Sequence, residues 1–384
     1  MKMKAAILKE VGKPLVIETI DLAPPKANEV LVKIAASGVC HSDLIAQESP
    51  GTPKPVVLGH EGAGIVVEIG PNVRSVKPGD KVTLSWIPYC GVCVYCTNGQ
   101  VHLCESAFGP MEKGFLPEGT SRLSKDGEMI YHDSCLSTFA EYAVVDEMSC
   151  VKLPDAMPLE QAALLGCGVA TGYGAVVNAA KVTPGSSVAV FGCGGVGINA
   201  IQGARIAGAS KIIAVDMKPQ NLEAAKKFGA THVVNPADGN LEEVVKGLTD
   251  GVGVQFAIDA TGNTKATSNA WDITRKGGVV VVVGFYTSKD LTINAELFHR
   301  RGKTLKGSSY GDINPLRDIR NLAQLYLDGK LMLDELILNR LSLDDINIAF
   351  DGFHDCCGVN VGRAVISFQD DTKFEEEQEL IETV

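Results

Sequence analysis

Hydrophobic and polar positions change rhythm twice along this chain. Up to about residue 168, apolar residues come in short β-rich runs, as at 4–8, 30–35 and 56–69, broken by turn signals such as Pro71-Asn72 and Lys77-Pro78-Gly79-Asp80. Long helical patterns are few there, which predicts a mostly β, irregular barrel-like domain. From 169 to 311 strands and helices alternate. Strands are expected at 188–191, 211–215, 232–234, 254–259, 278–284 and 303–307, and helices after the first of these and at 219–228, 241–248 and 264–274. Six valine-rich strands separated by helices make an α/β, doubly wound parallel sheet, buried on both faces. Beyond 312 the pattern gives a helix at 316–327, a strand at 337–341, a helix at 343–350 and a strand at 362–366. The chain is therefore expected to form one domain from residues 1–168 and 312–384, with 169–311 inserted as a second.

The stretch from Ser187 to Asp216 organises the second domain. A short apolar strand runs into Gly192, Gly194 and Gly197, which fit G-x-G-x-x-G, and Ala200, Ala204 and Ala207 follow at helical spacing. Asp216 ends the next strand, 22 residues after Gly194, close to the ~20 of a dinucleotide fingerprint. Gly192 permits the tight turn, Gly194 a close approach of backbone to pyrophosphate, and Gly197 helix–strand packing. Gly192, Gly194, Gly195, Val196 and Gly197 are the candidate phosphate cradle, at a helix N-terminus that favours an anion. Asp216 would bond the adenosine ribose hydroxyls and repel a 2′-phosphate, which selects NAD over NADP.

Charge removes some classes of partner. The net charge is −11 and the isoelectric point near 5.2, which argues against nucleic acid or an anionic membrane. The pattern shows no run of ~18 apolar residues and no signal-peptide core, so a cytoplasmic protein is expected.

Eleven cysteines change the picture further. Cys90-x2-Cys93-x2-Cys96-x7-Cys104 reads as a metal loop rather than a disulfide framework. Four soft ligands suit a closed, structural zinc; an iron–sulfur cluster accepts similar spacing. Cys40, His60 and Cys167 would complete a catalytic zinc set with an open fourth position, although spacing alone also allows ordinary core residues.

These motifs together resemble the zinc-dependent medium-chain alcohol dehydrogenases. GVCHSD (38–43), GHEGAG (59–64), the four-cysteine loop, GTSR (119–122), GCGVATGYG (166–174), GCGGVG (192–197) and Asp216 stand in that family's order. The ligand set of two sulfurs and one imidazole is the one for which alcohol dehydrogenase is itself the standard example. The resemblance implies a GroES-like barrel beside a Rossmann domain, NAD, and two zinc ions per subunit. Cys40, His60 and Cys167 would hold the catalytic zinc, with Glu61 as an alternative ligand and Asp43 orienting His60. Cys90, Cys93, Cys96 and Cys104 would hold the structural zinc. Ser42 would begin the proton relay. Thr171 and Phe285 would lie on the nicotinamide side, Arg363 would reach the pyrophosphate, and Trp86 would line the substrate pocket, with 107–137 as a flanking loop.

Two positions depart from the family. Ile45 stands where many relatives carry the histidine that passes the proton to solvent. His41 stands at a pyrophosphate-contact position and is expected to bind phosphate and assist proton release. The expected activity is hydride transfer from an alcohol, primary and aromatic or allylic, to NAD. A thiol-adduct formaldehyde dehydrogenase and a non-catalytic NAD-binding protein are the alternatives. The partner is a small-molecule alcohol or aldehyde. A homodimer or homotetramer is implied, in which strand 279–283 could join an intersubunit sheet. His232 and His299 read as structural or exposed, the Cys356-Cys357 pair as buried thiols, and the acidic stretch 370–384 as a frayed end.

Overall fold

The structure, a computed structural model, describes residues 1–286, 290–354 and 362–368; the Cys356-Cys357 pair and the acidic stretch from 370 lie outside the described residues. Three sheets carry the chain. Lys2–Leu8, Val16–Leu22, Leu123–Lys125, Glu128–His132 and Val56–Val57 close into a small barrel. A seven-stranded sheet has Glu29–Val39 at its centre, between Glu61–Ile69 and Arg363–Ser367, with Tyr142–Asp146 also paired to it. The third sheet is six-stranded and wholly parallel, in the order His232–Val234, Lys211–Val215, Ser187–Phe191, Val254–Asp259, Thr274–Val282, Thr304–Gly307.

Burial follows from where each strand lies. Glu29–Val39 is buried at all but one position, because neighbouring elements cover both of its faces. In the parallel sheet Val188, Ala189 and Val190 are fully buried, as crossover helices on both faces require. One apolar cluster runs through both halves of the molecule, joining Ile65 and Leu164 to Ile198, Ile258 and Val365. The two halves therefore share a core along the crevice between them.

Two expectations are corrected here. Residues 159–180 form one 22-residue helix whose most apolar 18-residue window has a mean hydropathy of 1.4, enough by length and composition to cross a membrane, yet 78% of that window is buried inside the protein. Its apolar surface is spent on the interior core, and small Gly and Ala residues along it disguised its continuity in the sequence. Strand 279–283 cannot lend an edge to another subunit. Its ladder groups are paired on both sides, with Val254–Asp259 and with Thr304–Gly307. The open edges of that sheet are His232–Val234 and Thr304–Gly307.

Candidate active site

Strand register brings the first cluster together. Gly38 pairs with Glu61, and Val39 pairs with Ala364. Cys40, His60, Glu61 and Arg363 therefore emerge side by side at one end of the sheet. Glycine at position 38 leaves room for the Glu61 carboxylate, which a Cβ there would push aside. Cys167 arrives from the 159–180 helix, in a wide π-turn from Leu165 to Val169; such turns widen the helix locally and recur at functional sites. Ligand atoms of Cys40, His60, Glu61 and Cys167 all lie within 4.8 Å of one another.

The surrounding bonds orient this cluster. Asp43 Oδ1 is 3.0 Å from His60 Nδ1, and Asp43 Oδ2 accepts the Cys40 N–H at 2.8 Å. Ser42 Oγ is 3.1 Å from His60 Nε2. Hydrogen bonding to the Cys167 thiol holds Cys40 well below the ordinary thiol range despite burial, with Arg363 assisting; the same bond pushes Cys167 up. Burial pulls His60 down, but the Asp43 and Cys167 charges override it and hold the imidazole well above its usual value. Burial raises Glu61 against the pull of Arg363. Anionic sulfur beside an electron-rich imidazole is a donor set that suits a divalent, borderline-soft cation such as zinc.

Arg363 holds the two halves of the site together. Its guanidinium pairs with Glu61 at 3.2 Å and lies 3.7 Å from Cys40 Sγ. It also packs on Gly195, where a Cβ would collide with it.

The second cluster is the loop at Cys90–Cys104. Its four sulfurs also fall within 4.8 Å of one another, and Cys93 and Cys104 sulfurs stand 4.0 Å apart. That separation is near the ~3.8 Å edge of a zinc–thiolate tetrahedron and far beyond a disulfide bond. All four thiols are free.

The glycine loop forms the third part. Gly192 has φ +81°, and a Cβ at Gly197 would strike the Gly192 carbonyl. The helix Gly195–Ile206 starts at Gly194 with no side-chain cap, so its first N–H groups face the crevice without a side-chain partner, as an anion cradle requires. A cavity of about 610 Å³ bordered by Gly192, Asp216, Asn221 and Thr261 lies on one side of Gly194. Another of about 320 Å³, bordered by Cys40, His41, Gly195, Val196, Phe353 and Arg363, lies on the other. Asp216 already accepts the Cys193 and Lys218 N–H groups at 2.7 and 2.8 Å; its carboxylate keeps lone pairs for further donors.

The remaining candidates are more dispersed. Thr171 is buried one turn beyond Cys167. Phe285 is 67% exposed at the rim, with its backbone against Gly262. His41 stacks edge-on against Phe353. Trp86 packs on Tyr310 at 4.5 Å between ring centroids, and the Tyr310 hydroxyl bonds the Gly166 carbonyl beside Cys167. Thr231 bonds His232, and His299 is exposed. Sequence reasoning missed Asp133, whose Oδ2 stands 3.8 Å from His60 Nδ1. No local motif marks it, since it reaches the site only because the Glu128–His132 strand ends there.

Fold and site together define a two-part oxidoreductase that joins a metal cluster to a dinucleotide crevice. Residues 26–155 match the alcohol dehydrogenase GroES-like domain, and 195–327 match the zinc-binding dehydrogenase family. The chain belongs to the zinc-dependent medium-chain alcohol dehydrogenases. It is 43% identical to a class-3 alcohol dehydrogenase of Myxine glutinosa, over 91% of this chain and 94% of that one. It is 42% identical to an S-(hydroxymethyl)glutathione dehydrogenase of Synechocystis, over 92% and 97%. Benzyl alcohol dehydrogenase of Acinetobacter calcoaceticus superposes with a TM-score of 0.89 at 36% identity, covering 96% of this chain and all of the other.

Proposed function

We propose that this alcohol dehydrogenase oxidises a primary alcohol, aromatic or allylic, to its aldehyde with NAD, reversibly. One observation carries the reading: Cys40, one of the clustered donors Cys40, His60, Glu61 and Cys167, borders the same crevice as Gly194, Gly195 and Val196. When bound, zinc supplies Lewis acidity and the nicotinamide supplies the hydride acceptor. Cys40, His60 and Cys167 would hold the ion, and Glu61 is in reach as a further ligand. Asp43 fixes His60 so that Nε2 faces the cluster. Ser42 Oγ, next to that nitrogen, takes the proton of the substrate hydroxyl while giving up its own, with His41 on the crevice wall as the onward acceptor. The first-turn N–H groups of the Gly195–Ile206 helix bind pyrophosphate, and the Asp216 carboxylate favours a free ribose over a 2′-phosphate.

The Synechocystis relative supports a second reading, oxidation of the glutathione adduct of formaldehyde. NADH formation with benzyl alcohol and geraniol, and with formaldehyde with and without glutathione, tests both. Turnover of the free alcohols supports the first reading, and turnover only with glutathione present overturns it. Association of subunits would use the Thr304–Gly307 edge, and sedimentation of the purified chain checks it.

A further inference from the structure

The chain leaves the parallel sheet through Thr304–Gly307 and then crosses back toward the first domain. On that crossing Tyr310, Gly311 and Asp312 have φ of +54°, +67° and +52°. Three left-handed residues in succession, two of them not glycine, make an unfavoured backbone. It persists only where surrounding contacts hold it, and such strain gathers at functional sites.

Contacts on both domains hold this one. The Asp312 carboxylate accepts from Lys306 Nζ at 2.7 Å and from Ser308 Oγ at 2.9 Å, which ties the crossing to the last strand of the sheet. Gly311 lies directly on the 159–180 helix, where a Cβ would strike the Thr171 and Ala170 carbonyls. Tyr310 is buried and stacks on Trp86. Its hydroxyl donates to the Gly166 carbonyl, which can only accept, and Ser85 Oγ stands 3.3 Å from the phenol oxygen.

Gly166 precedes Cys167 inside the π-turn Leu165–Val169. A π-turn replaces the regular i→i+4 bonds of a helix with wider i→i+5 ones, so a donor from outside has more say over where a carbonyl points. The peptide that joins Gly166 to Cys167 is planar and rigid. Fixing its oxygen therefore fixes the direction in which the Cys167 Cα leaves it. A Cβ on Gly166 would strike the Leu84 carbonyl, so the same residue is pressed against the Lys81–Leu84 strand while the phenol holds its oxygen.

We infer that Tyr310 is a positioning residue for the metal ligand Cys167: through the Gly166 carbonyl it sets the π-turn that aims the Cys167 sulfur at Cys40 and His60. This rests on the zinc reading of that cluster. Because the crossing is clamped to the parallel sheet, the nucleotide domain thereby helps to place a ligand of the metal.

The test follows zinc release from the fully loaded enzyme to a chromogenic chelator. The phase that is missing in Cys167→Ser belongs to the ion at Cys40, His60 and Cys167. Tyr310→Phe should speed that phase by about tenfold, the size of one buried hydrogen bond. The ion of the four-cysteine loop and the NAD titration should stay near wild type. Ser85→Ala keeps the phenol but loosens it, and should speed the same phase by about twofold to threefold, the low end for one hydrogen bond. An unchanged phase in Tyr310→Phe overturns the inference. So does equal acceleration of both ions with weakened NAD binding, which marks a general structural role. If Tyr310→Phe does not fold, an unchanged phase in Ser85→Ala overturns it. A wild type that holds only the four-cysteine ion sinks the zinc reading and this inference together. Release is read without turnover, so a chain inactive on every alcohol would sink the activity reading while the release rates still decide the role of Tyr310.

Discussion

Arg363 and Glu61 form a buried ion pair, 3.2 Å apart, between a strand returning from the chain's far end and the metal cluster. The Glu61 side chain is fully buried, and that of Arg363 is 11% exposed. Removing one member strands the other charge. Glu61→Gln should therefore destabilise the protein by about 3 kcal/mol, read by urea unfolding. Because the same guanidinium packs on Gly195, the variant should also bind NAD more weakly. Wild-type stability in Glu61→Gln would mean that water or another group compensates the guanidinium.

The four-cysteine loop makes a separate prediction. Its two short helices and turns, from Val94 to Leu103, are too small to bury a core of their own, and Val92 and Val94 are exposed. Metal then supplies the missing cohesion. Cys104→Ser should lower metal content from two zinc ions per chain to one and lower the thermal midpoint. Cys167→Ser should also leave one ion, yet abolish turnover while NAD titration stays near wild type. Elemental analysis with fluorescence titration separates the two variants. Loss of NAD binding in Cys167→Ser would indicate collapse of the crevice instead.

Much of this was legible in the sequence because it is local. The Pro219–Phe228 and Leu241–Leu248 helices and the strands His232–Val234 and Val254–Asp259 lie where the apolar rhythm puts them. Cysteine spacing and the glycine fingerprint are equally local. What was hidden depends on distant partners. The 159–180 helix is rich in small residues whose apolar face is decided by two sheets packing on it. Which strand of the parallel sheet lies at an edge is a matter of order, and no single strand's sequence encodes it. Asp133 is one more acid in a loop until the barrel folds it against His60.

Acid should reach the fold through His132. It is buried, Nε2 accepting the Arg122 N–H and Nδ1 bonding Ser137. Burial first, and Arg122 second, hold it down at about 3, against ~6.5 unfolded. A depressed histidine binds its proton in the unfolded state first. Its stabilising contribution is therefore complete above pH ~6.5 and is lost as pH falls toward about 3, on the order of 4 kcal/mol in all. His132→Gln keeps an acceptor for Arg122 without a titrating ring, so its stability should fall less steeply over that window. Parallel unfolding curves for both proteins between pH 6.5 and 4 would refute this.

Asp216 carries two jobs that one substitution can separate. It closes the glycine loop by accepting the Cys193 and Lys218 N–H groups, and it places a negative charge on the wall of the 610 Å³ cavity. Asp216→Asn keeps an acceptor oxygen for one of those groups but removes the charge. The loop should survive, so the thermal midpoint should move little. Repulsion of a 2′-phosphate should fall, and the preference for NAD over NADP should drop by roughly a hundredfold, about 2.7 kcal/mol. Asp216→Ala removes the acceptor too and should weaken both cofactors by about tenfold beyond that. Measuring kcat/KM for NAD and NADP in the three proteins decides it. If Asp216→Asn keeps the wild-type preference, cofactor choice lies elsewhere on that wall, and the carboxylate serves the loop alone.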